Sequence, residues 1–268
     1  MPAPDWSLLL RTPAFETTAL LLGLVVGSFA NVCIHRLPRR ESVVFPPSRC
    51  PACGTLIQAR DNVPVFGWLL LRGRCRACRT PISWRYPAVE AANGLLWLAL
   101  AAFGGPRPRS FVAMALVTAL LVLSLIDLDH QILPDAITLP GIVAGLLASF
   151  LPGSEVRPLA AAAAAAGGWL AFAAVAKAYE RTRGIEGLGQ GDWKLAAMLG
   201  AFLGWQGMLL AVLLASLAGS VVGLGAVAFR GRDMRYALPL GTFLGAGGVT
   251  VVFFGDAILA WYRGLFVG

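Results

Sequence analysis

Residues 110–126 read SFVAMALVTALLVLSLI, an apolar run without a charged side chain. A helix needs about 17 to 25 such residues to cross the hydrocarbon core of a bilayer. Because backbone polar groups in lipid must be satisfied within the chain, we expect a run of this kind to be helical. We therefore predict an all-α polytopic membrane protein with about eight transmembrane helices. The other seven apolar runs are residues 17–35, 87–104, 136–152, 158–178, 193–204 (a short one), 207–229 and 238–262.

The composition points the same way. Of the 268 residues, 57% are hydrophobic and 13% are charged, and the mean hydropathy is +0.72. Soluble proteins have about a quarter of their residues charged, so this balance excludes an ordinary soluble domain. The stretch polar enough for water is about residues 39–86. This predicts a first transmembrane helix (1–38), retained rather than cleaved as a signal peptide, a polar domain (39–86) and a transmembrane bundle (87–268).

The net charge of +8 suggests a nucleic-acid partner until its distribution is considered. Seventeen of the 22 Lys and Arg residues lie on one side of the predicted helices, ten of them in residues 36–86. Basic residues collect on the cytoplasmic side of membrane proteins. We therefore predict a cytoplasmic domain at 39–86, both termini outside, contacts with membrane lipid and no nucleic-acid partner. The five basic residues of the other side are Arg11, Arg107, Arg109, Arg157 and Arg263.

Four of the five cysteines form the pairs CPAC and CRAC, with 21 residues between them. Two such pairs at about this separation are typical of a tetrahedral zinc site, and a reducing cytoplasmic loop does not favour disulfides. We predict a structural zinc ion that supplies folding energy to a loop too small for its own core. The alternative is two redox-active pairs. The predicted ligands are Cys50, Cys53, Cys75 and Cys78.

Carboxylates occur at the predicted cytoplasmic ends of two membrane spans. Asp127 ends the third span, and Asp192 begins the sixth within GLGQGDWK. Ionisable groups at such depth are costly and indicate a functional site. When two carboxylates lie close together, their pKa values move apart. One is then ionised and activates water, while the other is protonated and donates a proton in peptide hydrolysis. The alternative for Asp192 is an ordinary helix cap.

The remaining acidic residues nearby receive other interpretations. Asp135 follows Pro134 directly before an apolar run, which predicts a helix cap. Asp129 either supports the site electrostatically or faces water. Gly189 and Gly191 precede Asp192, and they are expected to give this segment the backbone freedom to approach a substrate or to move the carboxylate.

Taken together, five motifs resemble those of the bacterial type IV prepilin leader peptidases, which are membrane aspartic proteases of the GxGD type. The resemblance extends from the first span to the last. The motifs are GSFANVCIHRLP (27–38), the two cysteine pairs, WRYPAVE (84–90), SLIDLDHQILPD (124–135) and GLGQGDWKLAAMLGAFLGW (187–205).

The resemblance implies cleavage of the short basic leader of type IV prepilins or pseudopilins, on the cytoplasmic side of the inner membrane, with Asp127 and Asp192 as the catalytic pair. It also implies methylation of the new N-terminus with S-adenosylmethionine as the donor. No nucleotide-binding loop is visible in the sequence. Gly73 of RGRC (72–75) is the candidate contact to the donor, and an ordinary turn glycine is the alternative.

Two other functions have weaker support in the sequence. An ion-coupled transporter with a zinc docking loop would also place carboxylates in membrane helices, but transporters hold them near the bilayer midplane in broken helices. An intramembrane metalloprotease would need a motif such as HExxH, which the sequence lacks.

Overall fold

The computed structural model describes residues 13–184, 188–230 and 238–265. Among them are eight α-helices, two short 3₁₀ turns and no β-strand. The chain divides into two compact units between Thr118 and Ala119. The basic residues Arg11, Arg232 and Arg235, on which part of the predicted topology depends, and Gly187 of the GLGQGDWK motif lie outside the described residues.

The first unit holds three helices, α1 (Pro13–Arg36), the short α2 (Phe66–Leu70) and α3 (Arg85–Gly104), together with the start of α4 (Pro108–His130). Helices α1 and α3 pack closely because glycines face the partner backbone. A Cβ atom on Gly27 would lie 2.8 Å from Cα of Glu90. The buried amide of Asn93 donates a 2.7 Å hydrogen bond to the carbonyl of Gly23.

The second unit contains the rest of α4 and the helices α5 (Asp135–Ala148), α6 (Pro158–Arg183), α7 (Gln190–Arg230) and α8 (Leu240–Gly264). Helix α7 packs against α5, α6 and α8 and is the centre of this unit. Its contact with α6 uses the alanine-rich stretch, where Ala161, Ala164 and Ala165 are buried. A small-residue packing surface explains that stretch.

Helix α7 is interrupted at Gly204, which has φ 67° and ψ −177°. Residues with side chains scarcely populate this conformation, so glycine is required there. A continuous helix from Gln190 to Ala228 would be about 58 Å long, far more than one bilayer crossing. The break separates the predicted spans 193–204 and 207–229.

The predicted fold class is confirmed. Six helices among the described residues are long and apolar enough to cross a membrane, and α5 is a shorter apolar helix. Each of the eight predicted spans overlaps a helix or one segment of α7, and the predicted span 136–152 extends four residues beyond the end of α5 at Ala148. The chain is an integral membrane protein. The division at residues 38 and 86 stays a prediction.

Candidate active site and cysteine cluster

Asp127 lies in the last turn of α4 and is 5% exposed. Its Oδ2 accepts hydrogen bonds from the backbone N–H of Thr242 at 2.7 Å and from the Thr242 hydroxyl at 3.1 Å. The N-cap position of α8 is Pro239, whose side chain makes no capping bond. Because the first N–H groups of a helix lack partners within it, the Asp127 carboxyl serves as their acceptor.

Asp192 lies in the first turn of α7 and is partly buried. Its Oδ2 accepts a 3.2 Å hydrogen bond from the backbone N–H of Gly189. This contact is one half of a capping box, in which Asp192 lies inside the first turn and does not occupy the N-cap position itself. The carboxylates of Asp127 and Asp192 interact electrostatically. The fold therefore brings the two predicted site residues together, although they are far apart in sequence.

Leu133 packs between the start of α7, which carries Asp192, and the start of α8, which contacts Asp127. A Cβ atom on Gly191 would lie 2.8 Å from Cβ of Leu133, and one on Gly241 would lie 2.9 Å from Leu133 and 3.0 Å from Cγ of Asp127. Neither Gly189 nor Gly191 has a positive φ. Close packing explains Gly191, and the backbone freedom expected of Gly189 and Gly191 stays a prediction.

The prediction that Asp135 caps α5 is wrong. The N-cap residue is Pro134, which makes no side-chain capping bond. Instead, Asp135 Oδ1 accepts a 2.6 Å hydrogen bond from Lys194 Nζ in a salt bridge that joins α5 to α7. A charge partner on a neighbouring helix competes with the local backbone for the carboxylate. Asp129 lies exposed in the last turn of α4, and its supporting role stays a prediction.

The four cysteines of the two pairs converge. Their sulfurs all lie within 4.8 Å of one another, with Cys50 and Cys78 at 3.7 Å and Cys53 and Cys75 at 4.0 Å. Zn–S bonds of about 2.3 Å put tetrahedral thiolates about 3.8 Å apart, so this cluster fits a metal ion. One cluster of four thiols, rather than two separate pairs, disfavours the redox alternative.

The two cysteine knuckles are an internal repeat that sequence reasoning missed, RCPACGTL (49–56) and RCRACRTP (74–81). In the first knuckle, the backbone N–H of Cys50 donates to the carbonyl of Thr55 at 2.9 Å. In the second knuckle, the backbone N–H of Cys75 donates to the carbonyl of Thr80 at the same distance. A hydrogen bond with Thr80 lowers the pKa of the Cys78 thiol to about 6.

Gly73 is explained by its local packing. It has φ 65°, and a Cβ atom there would lie 2.8 Å from Cζ2 of Trp68. Trp68 in turn donates from Nε1 to the carbonyl of Ile82 at 3.0 Å. An ordinary turn glycine, the alternative interpretation, accounts for Gly73, and the indole of Trp68 fills the space beside it. Contact of Gly73 with a methyl donor stays a prediction.

Glu90 in the first unit and Thr242 beside Asp127 make contacts that the sequence analysis did not assign. Glu90, 8% exposed on α3, accepts a 2.7 Å hydrogen bond from the N–H of Val65, which has φ 62°. It therefore ties the polar loop to a membrane helix. Glu90 lies in the quoted motif WRYPAVE, so a signal for it existed. Thr242 had none, because it lies in an apolar run outside the quoted motifs.

The fold and the site define a helical integral membrane protein with paired carboxylates and a four-cysteine cluster. The bacterial peptidase A24 N-terminal domain matches residues 21–103, and the type IV leader peptidase family matches residues 114–224. The chain belongs to the type IV leader peptidase family.

Several curated relatives bear the name prepilin leader peptidase/N-methyltransferase. That of Burkholderia pseudomallei (strain 1026b) is 43% identical over 264 residues, covering 88% of this chain and 84% of the relative. That of Pseudomonas putida is 40% identical over 278 residues, covering 95% and 96%. That of Aeromonas hydrophila is 39% identical over 272 residues, covering 92% and 93%. No solved structure is significantly similar to the chain. These relatives give no support to the transporter alternative.

Proposed function

We propose that this protein is an aspartic endopeptidase that removes the short basic leader of type IV prepilins or pseudopilins, using Asp127 and Asp192. The observation that carries the proposal is the convergence of these carboxylates, one buried at the end of α4 and the other in the first turn of α7. Family membership indicates the reaction class, which is peptide hydrolysis. The paired carboxylates of Asp127 and Asp192 provide the acid and the base that this reaction needs.

The reaction requires one carboxylate ionised and the other protonated. The ionised group takes a proton from water as the water oxygen attacks the scissile carbonyl carbon, and the protonated group donates to the carbonyl oxygen. The resulting tetrahedral gem-diol collapses. The C–N bond breaks as the amine receives the first proton, and the second carboxyl recovers its proton from the gem-diol.

The product then has a free N-terminal amine. We propose that the same chain methylates it, as the names of the relatives indicate for those proteins. S-adenosylmethionine would supply the methyl group. Gly73 stays the candidate contact to the donor, and the indole of Trp68 packs beside it.

The cysteine cluster is assigned a structural zinc ion held by Cys50, Cys53, Cys75 and Cys78. Four thiolates with spacings near 3.8 Å suit zinc and leave no open coordination position for catalysis. The metal would therefore stabilise the loop and take no part in hydrolysis. We place the loop and both carboxylates at the cytoplasmic face of the inner membrane, from the distribution of basic residues.

The test uses the full-length protein purified in lipid nanodiscs with a prepilin substrate, and mass spectrometry of the products. We expect a single cut that releases the leader, and its loss in Asp127→Asn and in Asp192→Asn. The matched control is Asp256→Asn, since this carboxylate lies exposed on α8 away from the pair. Cleavage that persists in either site variant would rule out the aspartic mechanism.

A further inference from the structure

Asp127 receives two hydrogen bonds from one residue of α8. The backbone N–H of Thr242 and its hydroxyl both reach Oδ2, at 2.7 Å and 3.1 Å. The two residues are 115 positions apart in sequence. A backbone N–H is a donor only, so the oxygen that accepts it does not carry the carboxyl proton.

The hydroxyl of Thr242 has a second acceptor. It lies 2.9 Å from the carbonyl oxygen of Ser124, one turn before Asp127 on α4. A hydroxyl has one proton and can also accept. It can donate to Oδ2 of Asp127 whether that carboxyl group is ionised or protonated at Oδ1, because Oδ2 is an acceptor in both states. The contact therefore persists through both proton states of the reaction.

Another threonine of α8 shows that this arrangement is not a general property of the helix. The hydroxyl of Thr250 donates to the carbonyl of Ala246 at 2.9 Å, the usual bond of a threonine to the preceding turn. Thr242 lies in the first turn of α8, and it bonds across to α4. The close approach of the two helices depends on Gly241, where a Cβ atom would lie 3.0 Å from Cγ of Asp127.

We propose that Thr242 is a positioning residue for Asp127. By holding Oδ2 at the N-terminus of α8, it fixes the orientation of the carboxyl group relative to Asp192. This inference rests on the proposed function, because it assigns Thr242 a part in the same hydrolysis. In this role Thr242 acts through Asp127.

The experiment compares Thr242→Val, which keeps the shape but removes the hydroxyl, with Thr242→Ser, which keeps the hydroxyl. The control is Thr250→Val on the same helix. Steady-state cleavage by full-length protein in nanodiscs gives kcat and KM for each. We expect Thr242→Val to lower kcat roughly ten- to a hundredfold with KM little changed, because misorientation acts on the chemical step. Thr242→Ser and Thr250→Val should stay within a few-fold of the unmodified protein.

Equal loss in the Val and Ser variants, or normal kcat in Thr242→Val, would overturn the inference. If Thr242→Val does not fold, Thr242→Ala is judged by the same comparison with Thr242→Ser. Asp127→Asn, assayed alongside, distinguishes failure of the proposed function from failure of the role of Thr242. An active Asp127→Asn removes the proposed function, whereas an inactive Asp127→Asn beside a normal Thr242→Val removes only the role of Thr242.

Discussion

Gly54 and Arg79 occupy the same place in the two cysteine knuckles, and both have a left-handed backbone, with φ 72° and 61°. The N–H of Gly54 donates to the carbonyl of Cys50, and that of Arg79 donates to Cys75, at 2.9 Å and 3.0 Å. Each closes the turn that holds two sulfurs. Glycine adopts this conformation freely and arginine does so at a cost.

Arg79→Gly is therefore expected to stabilise the second knuckle and Gly54→Ala to destabilise the first, each by about 1 kcal/mol. The rate at which a chelator removes the metal from the purified protein measures both changes. Arg79→Gly should slow metal loss and Gly54→Ala should speed it. Faster loss from Arg79→Gly would show that the arginine side chain matters more than its backbone conformation.

One zinc ion per chain is expected from elemental analysis, with Cys75→Ser lowering the content because one of four thiolates is lost. The loop should lose protection from hydrogen exchange when the metal is removed, since metal binding supplies its folding energy. Serine at Cys33, the cysteine outside the cluster, is the control. Unchanged zinc in Cys75→Ser would contradict the assignment.

Asp127→Asn and Asp192→Asn should each lower cleavage by orders of magnitude, and the double variant should be little worse, because groups that act as one unit are not additive. Asp129→Asn and Asp135→Asn should have smaller effects. Methylation of a substrate that is already cut should survive Asp192→Asn, since it needs no hydrolysis. Mass spectrometry of precursor and pre-cut substrate measures both activities. Parallel loss of the two would indicate one shared site.

Glu90→Leu should destabilise the polar loop by about 1 to 3 kcal/mol, because the N–H of Val65 loses its acceptor. Glu90→Gln keeps a carbonyl oxygen at the same place and should cost less. Hydrogen exchange at the Val65 amide is the direct measurement. Equal protection in the Leu and Gln variants would mean that this bond does not hold the loop.

Reporter fusions after residue 60 and after residue 184 should both report the cytoplasmic side, because these segments carry the excess of basic residues. A fusion after residue 107, between α3 and α4, should report the opposite side. An outside signal at residue 60 or 184 would overturn the topology and the access of a cytoplasmic leader to the carboxylates.

The sequence by itself determined the membrane spans, the cysteine cluster and the two carboxylates. Each follows from chemistry that is local in the chain. A run such as 110–126 must be helical in lipid wherever its neighbours lie. Four cysteines in two close pairs can converge on one metal without reference to the rest of the fold. Asp127 and Asp192 stand out because a carboxylate at the end of an apolar span is costly.

The tertiary structure decided which partners these residues have. Asp135 looked like a cap in its local sequence, but Lys194 of another helix takes its carboxylate. In the sequence, Thr242 is only a threonine in an apolar run. In the structure, its backbone N–H donates a hydrogen bond to Asp127. Such contacts join positions far apart in sequence. They depend on how closely the helices approach, which is set by small residues such as Gly241 and by packing that no local pattern records.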